Sequence, residues 1–82
     1  MVSHEKEFRG FVADLESGDR YVKFLRDVSE TTGTSITPTS LRTEADIETL
    51  ATKLRSKSSE KSVANSRSVM RKYVALVSAL RL

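Results

Sequence analysis

The sequence predicts an all-α protein, a compact bundle of four to five short helices. Three observations carry this. Apolar residues recur at spacings of three, four and seven in four separate stretches, the pattern of one buried helix face. Helix-opening signals, Thr43-Glu44-Ala45-Asp46 and the serines at 58 and 59, precede two of those stretches. Composition, 38% hydrophobic and 30% charged, is that of a chain that folds rather than one that stays disordered. With 82 residues the chain makes one domain, residues 1–82. A domain of this size buries only roughly 60 to 65% of the surface its unfolded form exposes, so the core is expected to be thin.

In the first helix, over residues 5–15, Phe8, Phe11, Val12 and Leu15 share one face. The segment Glu16-Ser17-Gly18-Asp19 then reads as a stop and a new start, with Gly18 suited to a helix C-terminus and Asp19 to an N-cap; a kink is the competing reading. From Arg20 the second helix repeats the stripe with Tyr21, Phe24, Leu25 and Val28 inward. Residues 31–42 are rich in β-branched and turn-forming types, and Pro38 disfavours helix at Thr37, so a long connection is predicted. Ile36 and Leu41 are expected to tuck inward and pin it to the core.

The third helix opens at Thr43, whose hydroxyl caps backbone amides, and buries Ile47, Leu50, Ala51 and Leu54. Its acids, Asp46 and Glu48, sit in the first turn, where the helix dipole explains them better than a metal would. Residues 56–62 read as a polar linker with the N-cap at Ser58 or Ser59. A fourth helix follows to about Leu80, with Val63, Ser66, Met70, Tyr73, Val77 and Leu80 inward and Val69, Val74 and Leu76 flanking. Tyr21 and Tyr73 both fall on apolar stripes, so core packing is the preferred reading for them over stacking on exposed bases.

Charge is distributed unevenly. Residues 1–50 sum to −4, whereas residues 51–82 carry Lys53, Arg55, Lys57, Lys61, Arg67, Arg71, Lys72 and Arg81 against Glu60 alone, an excess of +7 within a whole-chain total of +3. Such an excess repels itself unless an anion is near, and it is a recognised sign of a nucleic-acid partner. With the apolar stripe of the fourth helix turned inward, Lys61, Asn65, Ser68 and Lys72 lie opposite it, with Arg67 and Arg71 alongside. Lysines and arginines anchor phosphates, and an asparagine can pair with an adenine edge. Lys53, Arg55, Lys57, Ser58 and Ser59 add donors from the end of the third helix and the linker. The two helices resemble a helix-turn-helix pair with a longer turn. The expectation is that the cations after Ala51 converge into one patch that grips double-stranded DNA. The rival reading is a small protein-interaction module, an antitoxin, anti-defence factor or adaptor, presenting the same face to an acidic protein.

Catalysis is not expected: no nucleophile with its base, paired-carboxylate motif or Gly-rich phosphate loop is recognisable. The chain has no cysteine and one histidine, His4, so no structural zinc, cofactor or small-molecule substrate is expected. No apolar run approaches the roughly 18 residues of a membrane span, and no signal peptide is evident, so no membrane and a cytoplasmic location are expected.

The stretch Ser62-Val63-Ala64-Asn65-Ser66-Arg67-Ser68-Val69-Met70-Arg71-Lys72-Tyr73-Val74-Ala75-Leu76 resembles the last helix of the N-terminal core-binding domain of tyrosine recombinases of the phage-integrase type. A polar, Ser-rich lead-in precedes a helix in which an apolar pair, a basic residue and an aromatic come before an aliphatic end. Tyr21 to Val28 resembles the early helix of that family, and the likeness spans roughly residues 19–80. The resemblance implies a SAM-like bundle that grips duplex DNA, of the kind fused to replication, recombination and nuclease proteins of phages and mobile elements. The recombinase catalytic Arg, His and Tyr set has no counterpart here. The resemblance therefore implies a DNA-binding part without the chemistry, either standing alone or as the N-terminal part of a longer protein with a catalytic partner domain.

Overall fold

The computed structural model describes residues 2–13 and 18–82. Its elements are α1 (Glu5–Phe11), α2 (Gly18–Thr32), α3 (Glu44–Arg55) and α4 (Glu60–Leu80), packed as an all-α bundle. Helix α4 is the longest, at 21 residues or about 30 Å, and it touches each of the other three. Its buried face is Val63, Ser66, Val69, Met70, Tyr73, Leu76 and Val77. Leu80, expected inward, is instead 51% exposed, because it lies beyond the last turn that another helix covers.

The predicted starts of α3 and α4 are where the chain places its caps. Thr43 Oγ1 accepts from the Asp46 amide, and Asp46 Oδ2 accepts in return from the amides of Thr43 at 3.2 Å and Arg42 at 3.0 Å. Two donors that the helix leaves without partners are thereby satisfied. The predicted face of α3, Ile47, Leu50, Ala51 and Leu54, is buried in full. Ser59 caps α4 by accepting from the Ser62 amide at 3.3 Å, so the linker is shorter than expected and Glu60, Lys61 and Ser62 are already helical.

Helix α1 departs from expectation. It ends at Phe11, and that ring is 41% exposed, while Val12 just past the helix is fully buried beside Phe8. Leu15, Glu16 and Ser17, expected at the end of the first helix and in the break after it, lie outside the described residues. Gly18 does not end a helix but opens α2, and Asp19 lies in its first turn rather than at the cap. The glycine is needed for close approach: a Cβ there would stand 2.6 Å from the Val12 carbonyl oxygen.

The buried residues of α2 are Val22, Leu25, Val28 and Ser29, with Tyr21 and Phe24 only half-buried against the core. Contact with three neighbouring helices moves the buried arc toward Val22 and leaves the aromatic pair at its edge. Thr31 and Thr32, expected in the connection, extend the helix; it stops at Gly33, whose φ of +67° suits a residue without a side chain. Ile36 and Leu41 are fully buried, as the sequence predicts, and Ser40 and Thr37 hold the turn around Pro38 with mutual hydrogen bonds.

Tyr73 sits at the centre, fully buried, with its ring 5.8 Å from that of Phe8 and its hydroxyl donating to the Ser3 carbonyl at 2.8 Å. Val2 forms an isolated parallel bridge with Ile36, so the N-terminal segment is fastened at two points. Across α1 and α2, Arg26 makes a bidentate pair with Glu5, at 2.5 and 2.8 Å, which holds the Glu5 carboxyl below its usual range.

Two outcomes follow. Thr43→Ala is expected to lower stability by about 1 kcal/mol in urea unfolding, through loss of the cap. Burial pushes the Tyr73 hydroxyl up from 10.0 to about 12. Above pH 10 the unfolded chain gives up that proton while the folded chain keeps it, so stability contributed by Tyr73 is lost as pH rises from 10 toward 12. Tyr73→Phe abolishes this part of the alkaline decline, and urea midpoints of both proteins across that window measure the difference.

Candidate nucleic-acid interface

The rotation of α4 decides where its cations go. With one face buried, its exposed positions form a ridge, and basic residues fall on both sides of it. The single patch expected from sequence is thereby divided into two rows.

One row lies along the seam with α3. Arg67 Nη2 donates to Glu48 Oε1, and Arg71 Nε donates to Glu44 Oε1 at 3.2 Å. The acids are four residues apart on α3 and the arginines four apart on α4, so the two pairs form consecutive rungs between antiparallel helices. Arg67 and Arg71 therefore do not stand on a freely outward face as expected. Arg55 borders the same seam and shares a shallow cleft with Glu60, Val63, Ala64 and Arg67. Lys53, two positions earlier, points about 200° away around α3 and joins neither row.

The second row faces α2. Helices α2 and α4 run antiparallel, with Arg20 and Tyr21 level with Ser68 and Val69, and Thr31 level with Ser58. Lys61, Asn65, Ser68 and Lys72 are all exposed and follow one another at spacings of four, three and four, as predicted. Arg20, which the sequence places in the acidic part of the chain, joins them across a groove lined also by Tyr21 and Phe24. Its membership was readable from the helical spacing of Arg20 and Phe24, four apart on one flank.

The linker is partly used by the fold itself. Lys57 Nζ donates to the Thr31 carbonyl at 3.3 Å, placing a cation at the C-terminal end of α2, whose own last turn has none. Ser59 is the cap of α4, and its hydroxyl also donates to Ser62 Oγ at 3.2 Å, so it is not the open donor expected. Ser58 is half-buried in a cleft with Phe24, Asp27 and Thr31.

Among the described residues, Lys61, Lys72 and Arg20 form no ion pair, in contrast to Arg67 and Arg71. No described group of His, Cys, Asp and Glu side chains is arranged to hold a metal, and no described helix is long and apolar enough to cross a membrane. No family model, curated relative or solved structure matches the chain.

The seam pairs are exposed to half-exposed, a setting in which ion pairs contribute about 0.2 to 1 kcal/mol each. Replacing both acids, Glu44→Gln with Glu48→Gln, is expected to lower stability by less than about 2 kcal/mol, read by thermal and urea unfolding.

Proposed function

We propose that this domain is a non-enzymatic DNA-binding module that holds duplex DNA against the α2-facing flank of α4, in the cytoplasm. It serves a phage or mobile-element recombination, replication or nuclease protein, as the resemblance to core-binding domains implies. The observation that carries the reading is the sorting of the cations. The α3 carboxylates Glu48 and Glu44 are taken up by Arg67 and Arg71, while Lys61, Lys72 and Arg20 on the other flank form no ion pair among the described residues. Asn65 and Ser68 lie between the lysines, an amide and a hydroxyl within a row of phosphate anchors. Arg55, Lys57, Ser58 and Lys53 stand near the linker end, with Lys57 able to release the Thr31 carbonyl for a phosphate at little cost. Arg67 and Arg71 are a reserve whose contribution depends on competition with Glu48 and Glu44.

Fluorescence anisotropy with a labelled duplex tests this. The unmodified chain is expected to bind, with log affinity falling against log salt at about 0.9 per phosphate neutralised, or a slope near 3 for Arg20, Lys61 and Lys72. Lys61→Glu with Lys72→Glu is expected to abolish binding. Glu44→Gln with Glu48→Gln is expected to tighten it and to steepen the slope by up to about 2, as two arginines are released. Absence of duplex binding by the unmodified chain at low salt would overturn the proposal and leave an acidic protein as the partner of the same row.

A further inference from the structure

We propose that the groove between α2 and α4 receives a nucleobase from single-stranded or locally unpaired DNA, stacked against Tyr21 and Phe24. The inference rests on the DNA-binding reading and names what lies at the centre of that surface. Three kinds of chemistry meet there. Tyr21 and Phe24 are half-buried, their inner edges packed on the core and the remainder lining a groove of about 300 Å³. Asn65 and Ser68 line its opposite wall and offer an amide and a hydroxyl to a base edge. Arg20 lines the groove as well, and Lys61 and Lys72 lie four positions to either side of Asn65 and Ser68 along the same strip of α4.

Each part alone has a plain structural explanation. Half-buried aromatics close the edge of a thin core, and exposed lysines are mostly solvated. Their convergence is what points to a ligand: a duplex presents phosphates and base edges but no free base face, so a basic row suffices for it. An aromatic floor between cations is the inventory of single-strand binders, where the ring takes the base and the cations follow the backbone. Phe24 also borders the neighbouring cleft, which contains Asp27 at the Ser62 end of α4, so the groove favours a neutral base at the ring and places the phosphates toward Arg20 and Lys72.

The chain has two tyrosines and no tryptophan, and this makes the test direct. In Tyr73→Phe, Tyr21 is the sole tyrosine, and its fluorescence is expected to fall when oligothymidylate is added, but not with an abasic chain of equal length. Tyr21→Leu and Phe24→Leu keep apolar volume at the core edge while removing the ring. Each is expected to weaken single-strand binding roughly five- to 150-fold and leave duplex affinity within about twofold, with thermal unfolding checking that the variants fold. Duplex binding by the unmodified chain without single-strand binding would overturn this inference and leave the proposed function standing. Equal losses on both substrates would overturn it too, since the rings would then act through the fold. If neither substrate binds, both readings fail together.

Discussion

The angle at which α4 is turned about its own axis governs the rest of the molecule. Seven side chains fix it, from Val63 to Val77, among them Tyr73 and Met70, both fully buried. Burying a large apolar side chain contributes roughly 1.5 to 3 kcal/mol, whereas an exposed ion pair contributes at most about 1. Packing therefore sets the rotation and electrostatics adapts to it. A turn of one residue, about 100°, would carry Lys61 and Lys72 toward the core and expose Val63 and Met70. The charged surface is a by-product of an apolar choice.

Given that rotation, the acids of α3 act as a sorting device. Glu44 lies in the first turn, where a carboxylate already favours the helix dipole, and Glu48 follows one turn later. Both face the arginines of α4 and none of its lysines. A bundle with the same net charge but its acids elsewhere would present a different field. The excess of +7 counted along the sequence overstates what solvent meets on the seam and describes the α2 side more closely.

Legibility in the sequence followed the range of the interactions. Caps are local, so Thr43 and Ser59 marked the starts of α3 and α4, and α3 meets its neighbours on the single face its periodicity describes. For α2 Leu25 and Val28 are buried as the stripe predicts, while Val22 and Ser29 take the places expected of Tyr21 and Phe24, because a helix wedged among three partners buries an arc that no single period defines. Helix α1 was harder still. Two turns are too few for a pattern to distinguish Phe11 from Val12, and the role of Gly18 depends on Val12, just past the end of α1, coming within reach. The interface divides the same way. The strip Lys61, Asn65, Ser68 and Lys72 was visible as spacing, while the capture of Arg67 and Arg71 required knowing that α3 runs antiparallel beside them. One signal was present: acids at 44 and 48 matched by arginines at 67 and 71, the same interval in two adjoining helices.

The hydrogen bond from Tyr73 to Ser3 closes a loop of 70 residues, tying nearly the first residue described to the middle of the last helix. Polypeptides leave the ribosome N-terminus first, at about 5 to 20 residues per second, so α1 emerges seconds before its partner ring exists. Until Tyr73 arrives, Phe8 has no aromatic neighbour and the N-terminal segment has no hydroxyl to hold it. Completion of this small domain thus waits for α4 to leave the ribosome, and a nascent chain halted before α4 would display an uncovered apolar face to whatever waits at the exit tunnel.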